Sequence, residues 1–489
     1  MTDEARDAET PSALERALGV VTQVRAGEGI TALLMTLNVF LLLTAYYVIK
    51  PVRKGLILAV PNGASYESYL SAAIAVALLF AVPAYARAAG RMPKNKLVVG
   101  VTLFFASHLF VFFGLSQIAS IRSTLGLVFY VWVGIFNMMV VAQFWAFAND
   151  LYTQEQGKRL FALLGLGASV GAAVGAWITK PLKNALGNTS FGVYLLLVVS
   201  AVLLGCCALL SQAAHRRARG GRPAAREESP PPISRQAKPA SRDAADEGAF
   251  ALVFRHRYLT LIAIFSLLFT WVNTNGEFMM SALVSQASED AAVAAGRVGP
   301  EAIAKYKEGF STEVFADFFL WVNVLGVGLQ TFAVSRIVRF GGLRLAFFVL
   351  PFIALADATA VAALPVLGVL RWGKVAENAT DYSINNTVRN MLWLPTTTEM
   401  KYKAKQAVDT FFVRMGDVAS AILVLAVVAG GKAALGREVP AASVVRIFAL
   451  TNLGLVVAWL LVARRIVREN AALSAERAEA PEDAAEKAA

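Results

Sequence analysis

Along this chain, stretches of roughly 20 apolar residues alternate with short polar connections from about residue 29 to residue 463. Twelve such spans are read, at 29–50, 67–88, 97–117, 124–147, 160–179, 190–212, 258–280, 313–334, 343–364, 367–394, 405–430 and 443–463. Each is long enough to cross a hydrocarbon core of about 30 Å. Each is predicted to be a helix, because an open sheet leaves its backbone groups unsatisfied in lipid and the stretches are too long and uniformly apolar for barrel strands. The pattern therefore predicts an all-α polytopic membrane protein with twelve transmembrane helices. A 57% hydrophobic composition and a mean hydropathy of +0.57 fit that class.

The alternation has two exceptions. Residues 213–250 are polar, rich in Pro, Arg and Ala, and without periodicity, which predicts a disordered cytoplasmic linker between two six-helix halves, 29–212 and 251–466. Residues 1–28 and 467–489 are read as cytoplasmic ends, the first carrying a weakly amphipathic helix at 12–25. No cleavable leader is expected, since the charged start is followed by an apolar stretch that is too long and lacks a small-residue cleavage site.

Span ten is the second exception. Arg371, Lys374, Asn378, Asp381, Asn385 and Arg389 step by three or four residues, so a helix places all of them on one stripe, with Glu377 beside it. A charge at the bilayer centre costs at least about 2.5–3.5 kcal/mol on insertion scales, so such a stripe must face a cavity, a solute or its own partners. The span is the first candidate for a transport path. Internal pairing of Lys374 with Glu377 and of Asn378 with Asp381 is the competing account, and it leaves the positive excess unexplained.

Net charge is +12. In a soluble protein this would raise nucleic acid as a partner. Here Lys and Arg gather in alternate connections, around Arg91, Lys158, Arg216, Arg336, Lys401 and Arg464, which the positive-inside rule places in the cytoplasm together with both termini. No nucleic-acid partner is expected; the partners are membrane lipids and a small anionic solute. The two cysteines, Cys206 and Cys207, are adjacent and point to different sides of a helix, so neither a disulfide framework nor a metal cluster follows. Scattered histidines and the absence of any nucleophile–base, HExxH or Walker pattern argue against an enzyme and against a cofactor.

Further candidates lie outside span ten. Lys50, Arg53 and Lys54 surround Pro51, which is expected to kink or end the first helix and bring positive charge into a cavity; the plainer account is snorkelling at a membrane boundary. Asn149 and Asp150 close span four, where a gate is expected. Glu277 is a candidate cation or proton site, and Arg414 with Asp417 a switchable or merely intrahelical pair. Gly167, Gly171 and Gly175 predict close helix packing. The intervening GxSxG pattern lacks the strand and His a hydrolase needs.

The two halves look related at an offset of 249 residues, which sets Arg87 on Arg336 and Gly167 on Gly416 in similar contexts. The short basic turns after spans two and eight resemble a degenerate signature loop of major facilitator transporters. Three blocks, TAYYVIKPVRKGLIL, QFWAFANDLYTQEQGKRLFALLGLGASVGAAVGAW and ENATDYSINNTVRNMLWLPTTTEMKYKAKQAVDTFFVRMGD, resemble the ATP/ADP translocases of plastids and obligate intracellular bacteria, and more closely their relatives in free-living bacteria. The resemblance implies a major facilitator-like six-plus-six fold, nucleotide binding and exchange, and functional roles for Arg53 and Lys405. Where the translocases have a Lys-Asp pair this chain has Arg53-Lys54, and where they have an acidic residue in span four it has Val133.

The resulting expectation is a secondary transporter of an anionic solute of the ATP/ADP type in a bacterial cytoplasmic membrane, working by alternating access. Lys50, Arg53, Lys54, Arg371, Lys374, Asn378, Asp381, Asn385 and Lys405 are expected to bind substrate. Asn149, Asp150, Glu277, Glu377, Arg389, Arg414 and Asp417 are expected to gate or couple. The alternative is a non-transporting membrane protein that binds or regulates a partner through the linker on the same fold.

Overall fold

The computed structural model describes residues 12–19, 22–89, 94–186, 191–220, 248–397 and 399–479. Among them there are helices and connections but no strand. In chain order the helices are α1 (Ala13–Leu18), α2 (Gly29–Ala59), α3 (Gly63–Ala89), α4 (Lys94–Leu115), α5 (Arg122–Leu151), α6 (Gln154–Leu186), α7 (Leu195–Gly220), α8 (Ala249–Arg255), α9 (Arg257–Ala294) and α10 (Pro300–Gly328). They continue with α11 (Val334–Ala363), α12 (Leu367–Thr380), α13 (Asn386–Met391), α14 (Lys405–Ala407), α15 (Val413–Val424), α16 (Gly431–Leu435) and α17 (Ala441–Glu479).

Nine stretches of the described residues are long and apolar enough to cross a membrane. One of them, Pro300–Ala363, holds two predicted spans; α3 and the polar α12–α13 fall outside that set, so twelve spans remain compatible with the helices. Large apolar side chains stand on the outside: Phe104, Trp177, Leu209, Phe332, Ile422 and Leu461 are each more than half exposed. A soluble protein avoids contiguous apolar surface of this kind, whereas lipid requires it.

Several boundaries differ from the sequence reading. Pro51 does not end the first helix; α2 runs through it for 31 residues. The stretch between the predicted spans 258–280 and 313–334 is helical except for a short bend between Ala294 and Pro300, where Gly296, Gly299 and Pro300 fall close together and the flanks are rich in Ala. The predicted linker lies outside the described residues from 221 to 247, while its first residues extend α7 to Gly220. The tail is helical to Glu479. The amphipathic helix expected at 12–25 shrinks to α1, held by a buried carboxylate rather than an apolar face. Glu15 accepts from the backbone N–H groups of Ser12 at 2.8 Å, Gly27 at 2.7 Å and Gly29 at 3.3 Å.

The chain forms two compact units. The first combines residues up to 224 with Val284–Val324; the second holds the rest. In the first unit the glycine row of α6 lies against α2. A Cβ at Gly171 would stand 2.3 Å from the Phe40 carbonyl oxygen, and one at Gly175 2.5 Å from that of Thr44. Thr44 Oγ1 donates to the Gly171 carbonyl at 3.1 Å across the same contact. The segment 284–324 joins this unit through the side of α10. A Cβ at Gly55 would strike Thr312 and the Glu308 carbonyl, and Lys183 pairs with Glu313 at 2.9 Å.

The second unit repeats the arrangement. Gly416 of α15 lies against Leu267, Thr270 and Trp271 of α9, as Gly167 of α6 lies against Thr36 and Val39 of α2. The equivalence at an offset of 249 thus has a packing basis, a glycine seated on the first long helix of each half. Spans eight and nine meet at Gly342, whose φ of 61° lies in the left-handed region that a side chain rarely adopts.

Candidate functional site

Each unit buries one cluster of charge. In the first, the second half of α2 carries Tyr46, Tyr47, Lys50, Arg53 and Lys54 on adjoining turns. The Lys50 ammonium lies 4.0 Å from the ring centre of Phe319 and 5.0 Å from that of Tyr47. The Arg53 guanidinium stacks 3.6 Å from the Tyr130 ring of α5, and Tyr130 shares a hydrogen bond of 3.0 Å with Ser71. Such cation–π contacts reach about 2 kcal/mol when desolvated. Arg53 Nε is buried without a hydrogen-bond partner. Lys54 differs: it is buried in an ion pair with Glu67 of α3. Its charge is matched by Glu67, so it adds no net positive charge to the cluster.

In the second unit α12 continues through a π turn at Asp381–Asn385 into α13. Single π turns often mark functional positions. Among the stripe residues, Lys374, Asn378 and Asn385 are buried and Arg371, Asp381 and Arg389 half-buried. Lys374 donates to Glu377 Oε2 at 2.7 Å and to Asn273 Oδ1 of α9 at 2.9 Å. Gly276 makes room for it, since a Cβ there would lie 2.9 Å from the lysine Nζ. Asp381 accepts from Asn385 at 2.8 Å, four residues on along the stripe, rather than from Asn378 three residues before it. A cavity of about 10 Å³, close to what one water molecule needs, lies among Asn273, Glu377, Asn378, Asp381 and apolar neighbours including Trp459. Arg371 has no ion-pair partner among the described residues, and its Nε is buried without a hydrogen-bond partner.

The other predicted residues spread outward from these clusters. Glu277 is half-buried one turn beyond Asn273 on α9. Asp417 accepts from Thr274 at 2.8 Å and from Arg414 at 3.1 Å. Arg389 reaches Asp409 at 3.3 Å. Lys405 donates to Asn390 at 3.0 Å at a half-exposed position, away from the buried part of the stripe. Asn149 and Asp150 lie exposed in the last turn of α5.

Two residues escaped the sequence reading. Glu67 is the acidic partner of Lys54. Asp357 of α11 is buried against Gly373 of α12 and keeps one oxygen without a partner. Its signal was available, for it is the single carboxylate of the span 343–364.

Long helices with apolar side chains on the outside and charge buried within are those of a polytopic membrane protein. Residues 116–275 and 331–470 match the TLC ATP/ADP transporter family, and the chain belongs to that family. A search of curated proteins finds no match. Among solved structures the chain is similar to an auto-inhibited POT family peptide transporter, at 14% identity and a TM-score of 0.58 over 89% of this chain and 97% of that one. It is similar to the nucleoside transporter NupG at 12% identity and a TM-score of 0.58, covering 88% and 98% of the two chains. The human organic anion transporter MFSD10 follows at 13% identity and a TM-score of 0.50, covering 89% and 99%. The fold is thus that of major facilitator-like transporters, and the chain is a multi-pass membrane transporter of a small solute rather than an enzyme.

Proposed function

We propose that this transporter exchanges nucleotides of the ATP/ADP type across a bacterial cytoplasmic membrane by alternating access, both termini lying inside. One observation carries the reading: each unit holds an arginine with no ion-pair partner among the described residues and a buried Nε without a hydrogen-bond partner, Arg53 in one and Arg371 in the other. Guanidinium groups bind phosphate oxygens with paired, charge-assisted hydrogen bonds. Lys54 and Lys374 are already matched by Glu67 and Glu377, so the net positive charge falls on the arginines. Lys50, held over aromatic rings, adds charge beside surfaces on which a base can stack. Membership of the ATP/ADP transporter family supports the same substrate class.

Counterflow tests the reading. Proteoliposomes loaded with ADP should take up external labelled ATP, and empty ones should not. A hydrogen bond to a charged group is worth about 1.5–3 kcal/mol, so Arg53→Ala and Arg371→Ala should each weaken half-saturation by about tenfold or more. Folded variants that keep the wild-type affinity would remove the arginines from the site.

A further inference from the structure

A cavity of about 450 Å³ opens in the first unit, where the end of α6, the turn before α7, the bend after α9 and the start of α10 meet. Sites for small molecules commonly measure about 300–1,000 Å³. Its lining is basic and aromatic. Arg297 stands in the bend, and Lys305, Tyr306 and Phe310 follow on the first turns of α10. The Tyr306 and Phe310 rings are near parallel, at 24° with centres 6.3 Å apart, and the Arg297 guanidinium lies 5.9 Å from the Tyr306 ring centre. Lys183 of α6 completes the basic lining. It crosses α10 at Gly309, where a Cβ would stand 3.3 Å from the lysine Cε, and reaches Glu313 at 2.9 Å.

The charge does not cancel. Lys183 is matched by Glu313, and the adjoining Glu301 and Lys307 are paired with Arg122 and Glu289, at 3.2 and 3.3 Å. The exposed Lys305 and the half-buried Glu308 stand one turn apart on α10 and offset each other in part, which leaves the exposed Arg297 as a positive excess. Cations beside two ring faces suit a solute that joins negative charge to a flat ring, and a carboxylate accepts hydrogen bonds from hydroxyl groups. A nucleoside phosphate carries all three features. The connections that form the cavity alternate with the basic ones, which sets it on the outer face. Further along α10, Phe315 and Phe319 lie beside Lys54 and Lys50 of the α2 cluster. Phe319 follows Phe310 by a helical rise of about 13 Å, so one helix joins the cavity to that cluster.

We infer that this cavity is a second nucleotide site, which takes a nucleoside di- or triphosphate from the outer side before it enters the transport path. Tyr306 and Phe310 stack the base, Arg297 and Lys305 hold phosphate, and Glu308 accepts from the ribose hydroxyls. The inference rests on the transporter reading for its substrate, and its test separates the two. Equilibrium dialysis of labelled ADP against the detergent-solubilised protein should find two ADP per chain. Arg297→Ala with Lys305→Ala, both at exposed positions, should leave one, and Arg53→Ala with Arg371→Ala should leave the other. Tyr306→Leu should weaken ADP at the outer site about tenfold, the worth of one stacked base, and spare pyrophosphate there. In proteoliposomes of uniform orientation, the Arg297, Lys305 variant should raise the external half-saturation for ATP about tenfold and leave that for internal ADP unchanged. A single ADP per chain, unchanged in that variant, would overturn the outer site and leave the exchange reading intact. Internal half-saturation shifted in place of external would overturn its placement outside. A single ADP that the Arg297, Lys305 variant loses and the Arg53, Arg371 variant keeps would support the outer site and remove those two arginines from nucleotide binding.

Discussion

At the scale of single residues, much of the charge is held in partnerships that span helices. Lys54 and Glu67 are 13 residues apart in sequence, on the two arms of a helical hairpin, with side chains 9% and 3% exposed. Removing one member strands the other in a dry interior, which costs about 3–5 kcal/mol, whereas an apolar pair of similar volume is often tolerated. Lys54→Ala should therefore destabilise the detergent-solubilised protein by about that amount. Lys54→Met combined with Glu67→Leu should recover most of the loss, as read by thermal unfolding. Such pairs were hidden from sequence reading because nothing in a single chain records which distant carboxylate meets which cation. The inward direction of Lys374, Asn378 and Asn385 was legible, since helical spacing alone fixes a face. The partner of Asp381 was not, because Asn378 three residues before it and Asn385 four residues after it both lie within helical reach.

Elements show the same division. Apolar length located the helices well, yet it misjudged Pro51, where neighbouring packing carries α2 through a residue that breaks isolated helices. It also took a helical extension for a loop, since charge was read as a boundary when it marked only the edge of the lipid. The glycine row of α6 was legible by spacing, and its consequence is testable. Gly171→Leu would force α6 off the Phe40 carbonyl, and overpacking of this kind typically costs about 1–3 kcal/mol, to be read as a lowered Tm.

The start of α6 also fastens the N-terminal segment. Arg159 donates to both oxygens of Glu28 at 2.9 and 3.1 Å and to the Gln23 carbonyl at 2.8 Å, while Arg25 reaches Glu155 at 2.8 Å. Burial pushes the Glu28 carboxyl up, but the Arg159 guanidinium, the Arg25 N–H and the Gln156 amide outweigh it and hold the group below its ordinary 4.5. A depressed carboxyl contributes its stability fully above that value and loses it as pH falls through the lower folded one. Limited proteolysis between α1 and α2 should thus be constant from neutral pH down to about 5 and accelerate below 4.5. Acceleration already at pH 6 would mean that another group holds the segment.

For the whole molecule, the two halves were legible as a repeat, and the recurrence of Gly167 and Gly416 against the first long helix of each half explains why an offset in sequence carried over to structure. The exception is the segment 284–324, which clusters with the first unit although it follows the second half's first span. No hydropathy pattern reports such an attachment, because it rests on Gly55 meeting Thr312 and on Lys183 meeting Glu313.

The 38-residue α9 has one more use. At 1.5 Å per residue it is about 57 Å long, nearly twice the thickness of a hydrocarbon core, so even at a tilt of about 40° part of it extends beyond the core. Just past its far end, Val298 is 87% exposed. The native thiols, Cys206 and Cys207, lie within the apolar α7 and are easily replaced to clear the background. A lone cysteine at position 298 then becomes a sidedness reporter. Intact cells should label there with a membrane-impermeant maleimide, and labelling that required permeabilised cells would reverse the topology drawn from the basic connections.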